Sequence, residues 1–437
     1  MAPRPWPPPK RPFPMTGRAR EMSTRVLFVS PIFPRDFSAS VYGVFQRMRM
    51  WLDAIQLLGA ELDILFLPPS GESGGPGSAG AVARELADHW GIRSRVVLCE
   101  REPDMSSRGF LATYVTPYFL PALRIRPLPQ IGSYAGKRQK DAFAQCLARC
   151  PDIVLFQRLS ATGPWGSSSL GGARGFIDLD DVEHVRFTRE ITQPPRWRSK
   201  PLMYLQVPPL WWEERAAIAR SDTAFVCSEH DRKYLRRTMR VRNVEVMPNA
   251  VARVDDGPLS TKPNVLFIGN YRYGPNVVAA EYLIGHVWPR LARISPRARL
   301  LVAGLHSEDL PSFRNPPRGV EFLGFITDLT ALYRRTRVMC CPIQSGAGTR
   351  VKILEAASHG VPVVSTPLGA EGLDFVGESD IVLRNDAAGL AEACGALLSD
   401  DEQAGRIGAA ARQRVRAQYA REAVVSRMSA ALAGGGR

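Results

Sequence analysis

Past residue 24 the chain alternates short, wholly apolar runs with longer amphipathic ones. Arg25–Ser30 predicts a buried strand, a loop runs to Ser40, and a helical period then extends to about Leu58. Leu62–Leu67 predicts the next strand, ended by Pro68 and Pro69 and a glycine- and serine-rich loop to Gly80. Further strands are predicted at Arg95–Cys99, Asp152–Gln157, Arg174–Leu179, Thr223–Cys227 and Val244–Met247. Strands that are apolar throughout and alternate with helices imply a parallel sheet covered on both faces. Residues 248–264 hold Pro248, Gly257, Pro258 and Pro263 with little periodicity, which is the composition of a linker. The alternation then restarts with Val265–Ile268, Leu300–Ala303, Val320–Leu323, Val338–Pro342, Val361–Ser365 and Ile381–Leu383. Pro275 marks a helix start, and Asp400 to about Leu432 predicts one or two helices.

The expected fold is therefore α/β, with two tandem doubly wound, Rossmann-like domains facing across a cleft. Its expected limits are a disordered tail at 1–24, an N-terminal domain at 25–250 and a linker at 251–264. A C-terminal domain at 265–400 and closing helices at 401–437 complete it.

Composition narrows the class without naming an activity. The 437 residues are 45% hydrophobic and 23% charged, which excludes wholesale disorder, a fibre and a small disulfide scaffold. No stretch of about 18 apolar residues occurs. The net charge of +15 invites an anionic partner, but 7 of the 57 basic residues are lysine, and the 50 arginines run along the whole chain. A nucleic-acid footprint would be clustered, so no nucleic-acid partner is expected. Seven cysteines in mostly apolar surroundings, with no C-x-x-C, fit buried reduced thiols in a cytoplasmic protein. Cys146 and Cys150 are expected to share a packed helix face. Residues 1–14 hold seven prolines, and the charges up to Glu21 sum to +4. Met15 or Met22 fits a natural start, which would make the tail upstream coding sequence. Gly109–Ile131, with Tyr114, Tyr118, Phe119, Arg124 and Arg126, is apolar, aromatic and basic. It suits either a peripheral contact with an anionic membrane, at the inner face of the plasma membrane, or a partly buried helix.

The segment from Cys341 to Ser365 carries the chemistry. It reads as strand, glycine-bearing loop, helix, glycine stop and strand. Gly346 and Gly348 permit a tight turn and close approach to a ligand. The helix start near Arg350 to Lys352 presents free N–H groups and the positive end of its dipole, a setting that suits a diphosphate. Glu355 lies within the first two turns, where a carboxylate accepts two ribose hydroxyls. An ordinary glycine turn with a solvated basic pair and a capping glutamate fits the same residues.

Several motifs in order resemble the retaining glycosyltransferases of GT-B fold, the large bacterial polysaccharide and glycolipid group called glycosyl transferases group 1. They are Val265–Asn276, Leu301–Gly304, Val320–Phe325, Asp328–Tyr333 and residues 342–366. Ala219–Asp231 and Val246–Val251 resemble the family's N-terminal strand and domain-crossing stretch, so the likeness covers about 25–430. The resemblance implies a nucleoside-diphosphate-sugar donor on the C-terminal domain and a glycan or lipid-linked glycan acceptor on the N-terminal one. Gly269, Arg272, Gly346, Gly348, Thr349, Arg350, Val351 and Lys352 would hold the diphosphate, and Glu355 the ribose. Gly43 would let a helix start approach the donor phosphate. The implied enzyme is retaining, hexosyltransferase-like and metal-independent, and it uses the nucleotide sugar as co-substrate with no further cofactor.

Two departures stand out. Ala347 occupies the place of a second family glutamate, and Asn270–Asn276 replaces the usual Arg and Lys; Arg272 and Lys352 are candidates for the missing charge. On the acceptor side, Asp178, Asp181 and Glu183, with Asp180 and His184, gather at a strand's C-terminal end; alternating aspartates also simply end strands and cap helices. Asp178-x-Asp180 mimics a metal-binding D-x-D, which belongs to a one-sheet fold. Ser228 with Asp231 reads as a helix cap. A nicotinamide-dependent oxidoreductase lacks its glycine fingerprint after Arg25–Ser30, and a non-catalytic nucleotide-sugar-binding module is the remaining rival.

Overall fold

A computed structural model describes residues 24–34, 43–70, 78–101, 117–125, 128–192, 200–252, 254–346 and 348–434. The chain divides into two compact units, residues 1–247 with 425–437, and residues 248–424. The first contains β1 (Arg25–Ser30), α1 (Gly43–Leu58), β2 (Glu61–Phe66), α2 (Ser78–Trp90), β3 (Ser94–Leu98), α3 (Leu120–Ala122), α4 (Pro129–Gly132) and α5 (Lys137–Leu147). It continues with β4 (Ile153–Gln157), β5 (Arg174–Asp180), α6 (Glu183–Thr192), α7 (Val207–Arg220), β6 (Thr223–Val226), α8 (Glu229–Met239) and β7 (Val244–Val246).

All seven strands are parallel, in the order β3-β2-β1-β4-β5-β6-β7. Phe28 on β1 pairs with Ile64 on one side and Leu155 on the other. Leu27, Val29, Leu65, Phe156 and Ile177 on one face and Val26, Phe28 and Leu155 on the other are fully buried, as expected of strands covered on both faces. Ser228 caps α8, its hydroxyl accepting from the Asp231 N–H.

The second unit contains β8 (Asn264–Ile268), α9 (Gly274–Tyr282), α10 (Trp288–Ile294), β9 (Arg299–Ala303), β10 (Val320–Gly324), α11 (Leu329–Arg334), β11 (Val338–Cys341) and α12 (Val351–Ser358). β12 (Val363–Ser365), β13 (Val382–Leu383), α13 (Ala387–Ser399) and α14 (Asp401–Gln418) follow, and α15 (Arg421–Ala433) closes the chain. Its six strands are parallel in the order β10-β9-β8-β11-β12-β13. In each sheet the strand order reverses beside the first strand, between β1 and β4 and between β8 and β11. Such a reversal opens a crevice at the C-terminal strand ends, where open α/β sheets take their ligands.

Three features differ from the sequence expectation. α5 ends at Leu147, and Cys150 lies beyond it, exposed and with φ +53°. Pro151 follows, and the residue before a proline is driven out of the helical region, so Cys150 cannot share a face with Cys146. The other six cysteines are buried. The closing helices are not a separate segment: α14 belongs to the second unit, while residues from Val425 onward belong to the first. Of the Gly109–Ile131 stretch, 109–116 and 126–127 lie outside the described residues. Among the described residues, no helix is long and apolar enough to cross a membrane.

Candidate active site

The loops after β8 and β11 meet at the second sheet's reversal. From Cys341 the chain runs through Ser345, Gly346, Gly348 and Thr349 into α12, with φ of +92° at Gly346 and +80° at Gly348. A Cβ on Gly346 would stand 2.7 Å from the Tyr273 hydroxyl and 3.3 Å from Arg350 Nη2, so only glycine fits there. Among the described residues no side chain caps α12, and the positive end of its dipole therefore faces the loop. Ala347 lies outside the described residues.

The basic groups are held in place. Arg350 is buried and donates through Nη2 to the Ser345 carbonyl at 3.2 Å. Lys352 Nζ donates to Asn276 Oδ1 at 2.8 Å and lies 4.5 Å from the Phe267 ring centroid. Asn276 in turn donates to the Asn270 carbonyl at 2.9 Å. The Asn270–Asn276 turn thus fixes the ammonium of Lys352 at the site. Burial lowers the Lys352 ammonium to about 8, with Arg350 adding to the shift and Cys341 and Glu355 opposing it. Burial pushes the Glu355 carboxyl up to about 7, while Lys352 and the Tyr333 hydroxyl pull it back. Gly269 ends β8 with its N–H on the Ala303 carbonyl. Arg272 is exposed, its backbone N–H donating to Asn270 Oδ1. Asn249 donates to Thr349 Oγ1 at 2.8 Å, a contact between positions 100 residues apart that no local pattern announces.

Gly43 opens α1, and residues 35–42 before it lie outside the described residues. At the C-terminal end of β5 the acidic residues sort into different situations. Asp178 is fully buried: Arg47 Nε donates to both of its oxygens at 3.0 and 3.1 Å, Arg47 Nη2 at 2.6 Å, and Trp51 Nε1 at 2.7 Å. That saturates the carboxylate, which ties β5 to α1 and presents no free face to an acceptor. Asp180 accepts from Arg158 Nη2 and from the Cys227 thiol, each at 3.3 Å. Glu183 accepts from Arg186 at 2.7 Å. The Glu183 N–H and His184 Nδ1 both meet the buried Glu214, at 2.8 and 2.5 Å, and His184 Nε2 lies 2.8 Å from the Tyr234 hydroxyl.

Asp181 alone among these carboxylates has no side-chain hydrogen-bond partner among the described residues. Burial, with Asp180 and Glu183 adding and Arg158 and Arg186 opposing, pushes it up to about 7. The backbone here is strained: Arg158 and Asp180, ending adjacent strands β4 and β5, have φ of +70° and +62°. Positive φ outside glycine gathers at functional positions. Sequence reading missed Arg158, Arg47 and Glu214, whose roles exist only once β4, α1 and α7 are packed. Among the described residues no cluster of three or more His, Cys, Asp or Glu side chains is arranged to hold a metal ion.

Comparison with known proteins bears on the family of one segment and on the fold. Residues 262–400 match the family model described as Glycosyl transferases group 1. The chain is 30% identical over 181 residues to the glycogen synthase of Mycobacterium tuberculosis, across 39% of this chain and 42% of the synthase. It spans 34% to 42% of the length of the curated relatives it matches. Among solved structures, it is similar to the sucrose-phosphate synthase of Thermosynechococcus elongatus, with TM-score 0.63 and 19% identity over 94% of this chain and 98% of that one. It is also similar to Anabaena HepE in complex with UDP and glucose, with TM-score 0.60 and 12% identity over 94% and 99%. Residues 262–400 are therefore similar to the Glycosyl transferases group 1 family, in a chain that has the GT-B fold.

Proposed function

We propose that the protein is a retaining glycosyltransferase that moves a sugar from a nucleoside-diphosphate sugar to a hydroxyl of a glycan or lipid-linked glycan, in polysaccharide or glycolipid assembly. One observation carries the reading: at the strand-order reversal, a glycine loop leads into an uncapped helix start flanked by Arg350, Lys352 and Glu355. The helix dipole and two cations suit a diphosphate, and a carboxylate one turn on suits a ribose. Relatives of the same fold include a structure holding UDP and glucose.

In this scheme the departing β-phosphate takes the acceptor's proton on the face the donor leaves. The acceptor oxygen bonds to the anomeric carbon as that carbon's bond to phosphate breaks. Placement and charge stabilisation do the rest, from Arg350, Lys352 and the exposed Arg272 on the diphosphate. That charge stands in for a metal ion. Asp181, with Glu183, orients the acceptor, while Asp178 serves through Arg47 as structure. Exposed Phe119, Leu123 and Ile125 beside Arg124 suit a peripheral contact with an anionic membrane. Flotation with anionic against zwitterionic vesicles tests that contact, and equal recovery with both would remove it.

Thermal unfolding against UDP, GDP, ADP and NAD, on wild type and Glu355→Ala, tests the donor site. One nucleoside diphosphate at about 100 times its dissociation constant should stabilise wild type by roughly 2.7 kcal/mol, and the variant less. No shift with any diphosphate, or a shift with NAD alone, returns the protein to the binding-module or oxidoreductase reading.

A further inference from the structure

Behind Glu355 lies a set of side chains that the donor reading does not use. Tyr333, near the end of α11, is buried, and its hydroxyl donates to Glu355 Oε2 at 3.5 Å. One face of its ring stacks on His359, with centroids 4.8 Å apart and planes 18° from parallel. His359 Nδ1 lies 3.3 Å from Asp255 Oδ2, and the same oxygen accepts from Arg334 Nε at 3.3 Å. Asp255 thereby grips both the residue after Tyr333 and the ring stacked on it. Its own backbone is pinned, the N–H on the Ser358 carbonyl and the carbonyl on Arg412 Nη1, each at 2.9 Å. Packing alone would accept a phenylalanine at 333. The hydroxyl reaches instead the one carboxylate proposed to meet the ribose.

We infer that Tyr333 is a positioning residue of the nucleotide site, held by His359 and Asp255 so that its hydroxyl aims the Glu355 carboxylate at the ribose. This rests on the donor-site reading. Burial and the adjacent Glu355 keep the Tyr333 phenol protonated, so it remains a donor. The charged or titratable groups facing Glu355 are Lys352 on its own helix and Tyr333 on α11. Cys341 on β11 acts on both of these, and Arg350 acts on Lys352. His359 stacks on the Tyr333 ring, and Asp255 holds both His359 and Arg334. A hydroxyl donated to a carboxylate favours its charged form, the form that accepts ribose hydroxyls.

The test is UDP affinity between pH 6 and 8.5 for wild type, Tyr333→Phe, Glu355→Gln and the double variant, with melting temperatures confirming that each folds. The ligand's own phosphate titration is common to all four and cancels in affinity ratios. Wild type should weaken on the acid side near pH 7. Tyr333→Phe should move that limb up by about one pH unit, giving about fivefold weaker binding at pH 7 and a smaller loss at pH 8.5, where the carboxylate is charged but no longer aimed. Adding Tyr333→Phe to Glu355→Gln should change nothing. Wild-type affinity with an unmoved limb for Tyr333→Phe, or a loss that persists in the Glu355→Gln background, overturns the inference while leaving the donor site standing. Absence of UDP, GDP and ADP binding in wild type overturns the donor reading and the inference together.

Discussion

Asp178 and Asp181 are three positions apart, yet the fold treats them as opposites. Asp178 is sealed against Arg47 and Trp51, whereas Asp181 keeps its carboxyl free of hydrogen-bond partners among the described residues. Removing one half of a buried ion pair strands the other half's charge, at about 3–5 kcal/mol. Asp178→Asn should therefore lower unfolding free energy in urea by about that much. Asp181→Asn, which relieves repulsion from Asp180 and Glu183, should leave stability unchanged or higher. It should cut the transfer rate by about 10²-fold through a misplaced acceptor. Equal stability losses for the two variants would erase the distinction. The sequence showed that carboxylates crowd this strand end but could not rank them, because the ranking is made by Arg47 on α1, 131 positions away from Asp178. At the proposed donor site Arg350, Lys352 and Glu355 could be grouped from sequence because one short loop and helix carry all three. Tyr333 and Asn249 reach the same place only through tertiary packing.

Strands were the easiest elements to read, since burial on both faces leaves an uninterrupted apolar run. Their ends were less legible where pairing sets the limit. The run Val361–Ser365 forms ladder only from Val363, because Pro362 has no N–H to donate. Helix α14 shows what composition hides: it contains Gly405 and Gly408, which read alike in sequence. A Cβ at Gly405 would meet nothing within 4 Å, while one at Gly408 would overlap the Gly360 carbonyl that closes α12 and lie 3.4 Å from Pro362 Cδ. Alanine in a helix interior gains about 0.8–1 kcal/mol over glycine, but forcing a backbone contact apart costs about 1–3 kcal/mol. Gly405→Ala should raise the melting temperature and Gly408→Ala should lower it. A rise for both would mean that α12 and α14 do not depend on this close approach.

Two tandem parallel sheets followed from the alternation of strand and helix patterns. The return of the chain's last residues to the first unit did not follow, because nothing local marks where a terminal amphipathic helix will pack. In the fold, Met428 and Leu432 are fully buried and Val425 nearly so, and Arg174 at the start of β5 donates to the Leu432 carbonyl. These residues belong to the N-terminal unit, while the loop and helix proposed to hold the diphosphate and ribose, Gly346–Glu355, belong to residues 248–424. Truncation after Val424 therefore separates stability from donor binding. Three apolar side chains at roughly 1.5–3 kcal/mol each put the loss to the N-terminal unit on the order of 5 kcal/mol, against a typical domain stability of about 5–15 kcal/mol. Hydrogen exchange should show amides of β4, β5 and β6 exchanging faster in the truncated protein. Those of β8 and β11 should stay protected and gain protection with UDP as in the full chain. Loss of UDP binding on truncation would show that the two units do not keep these functions apart.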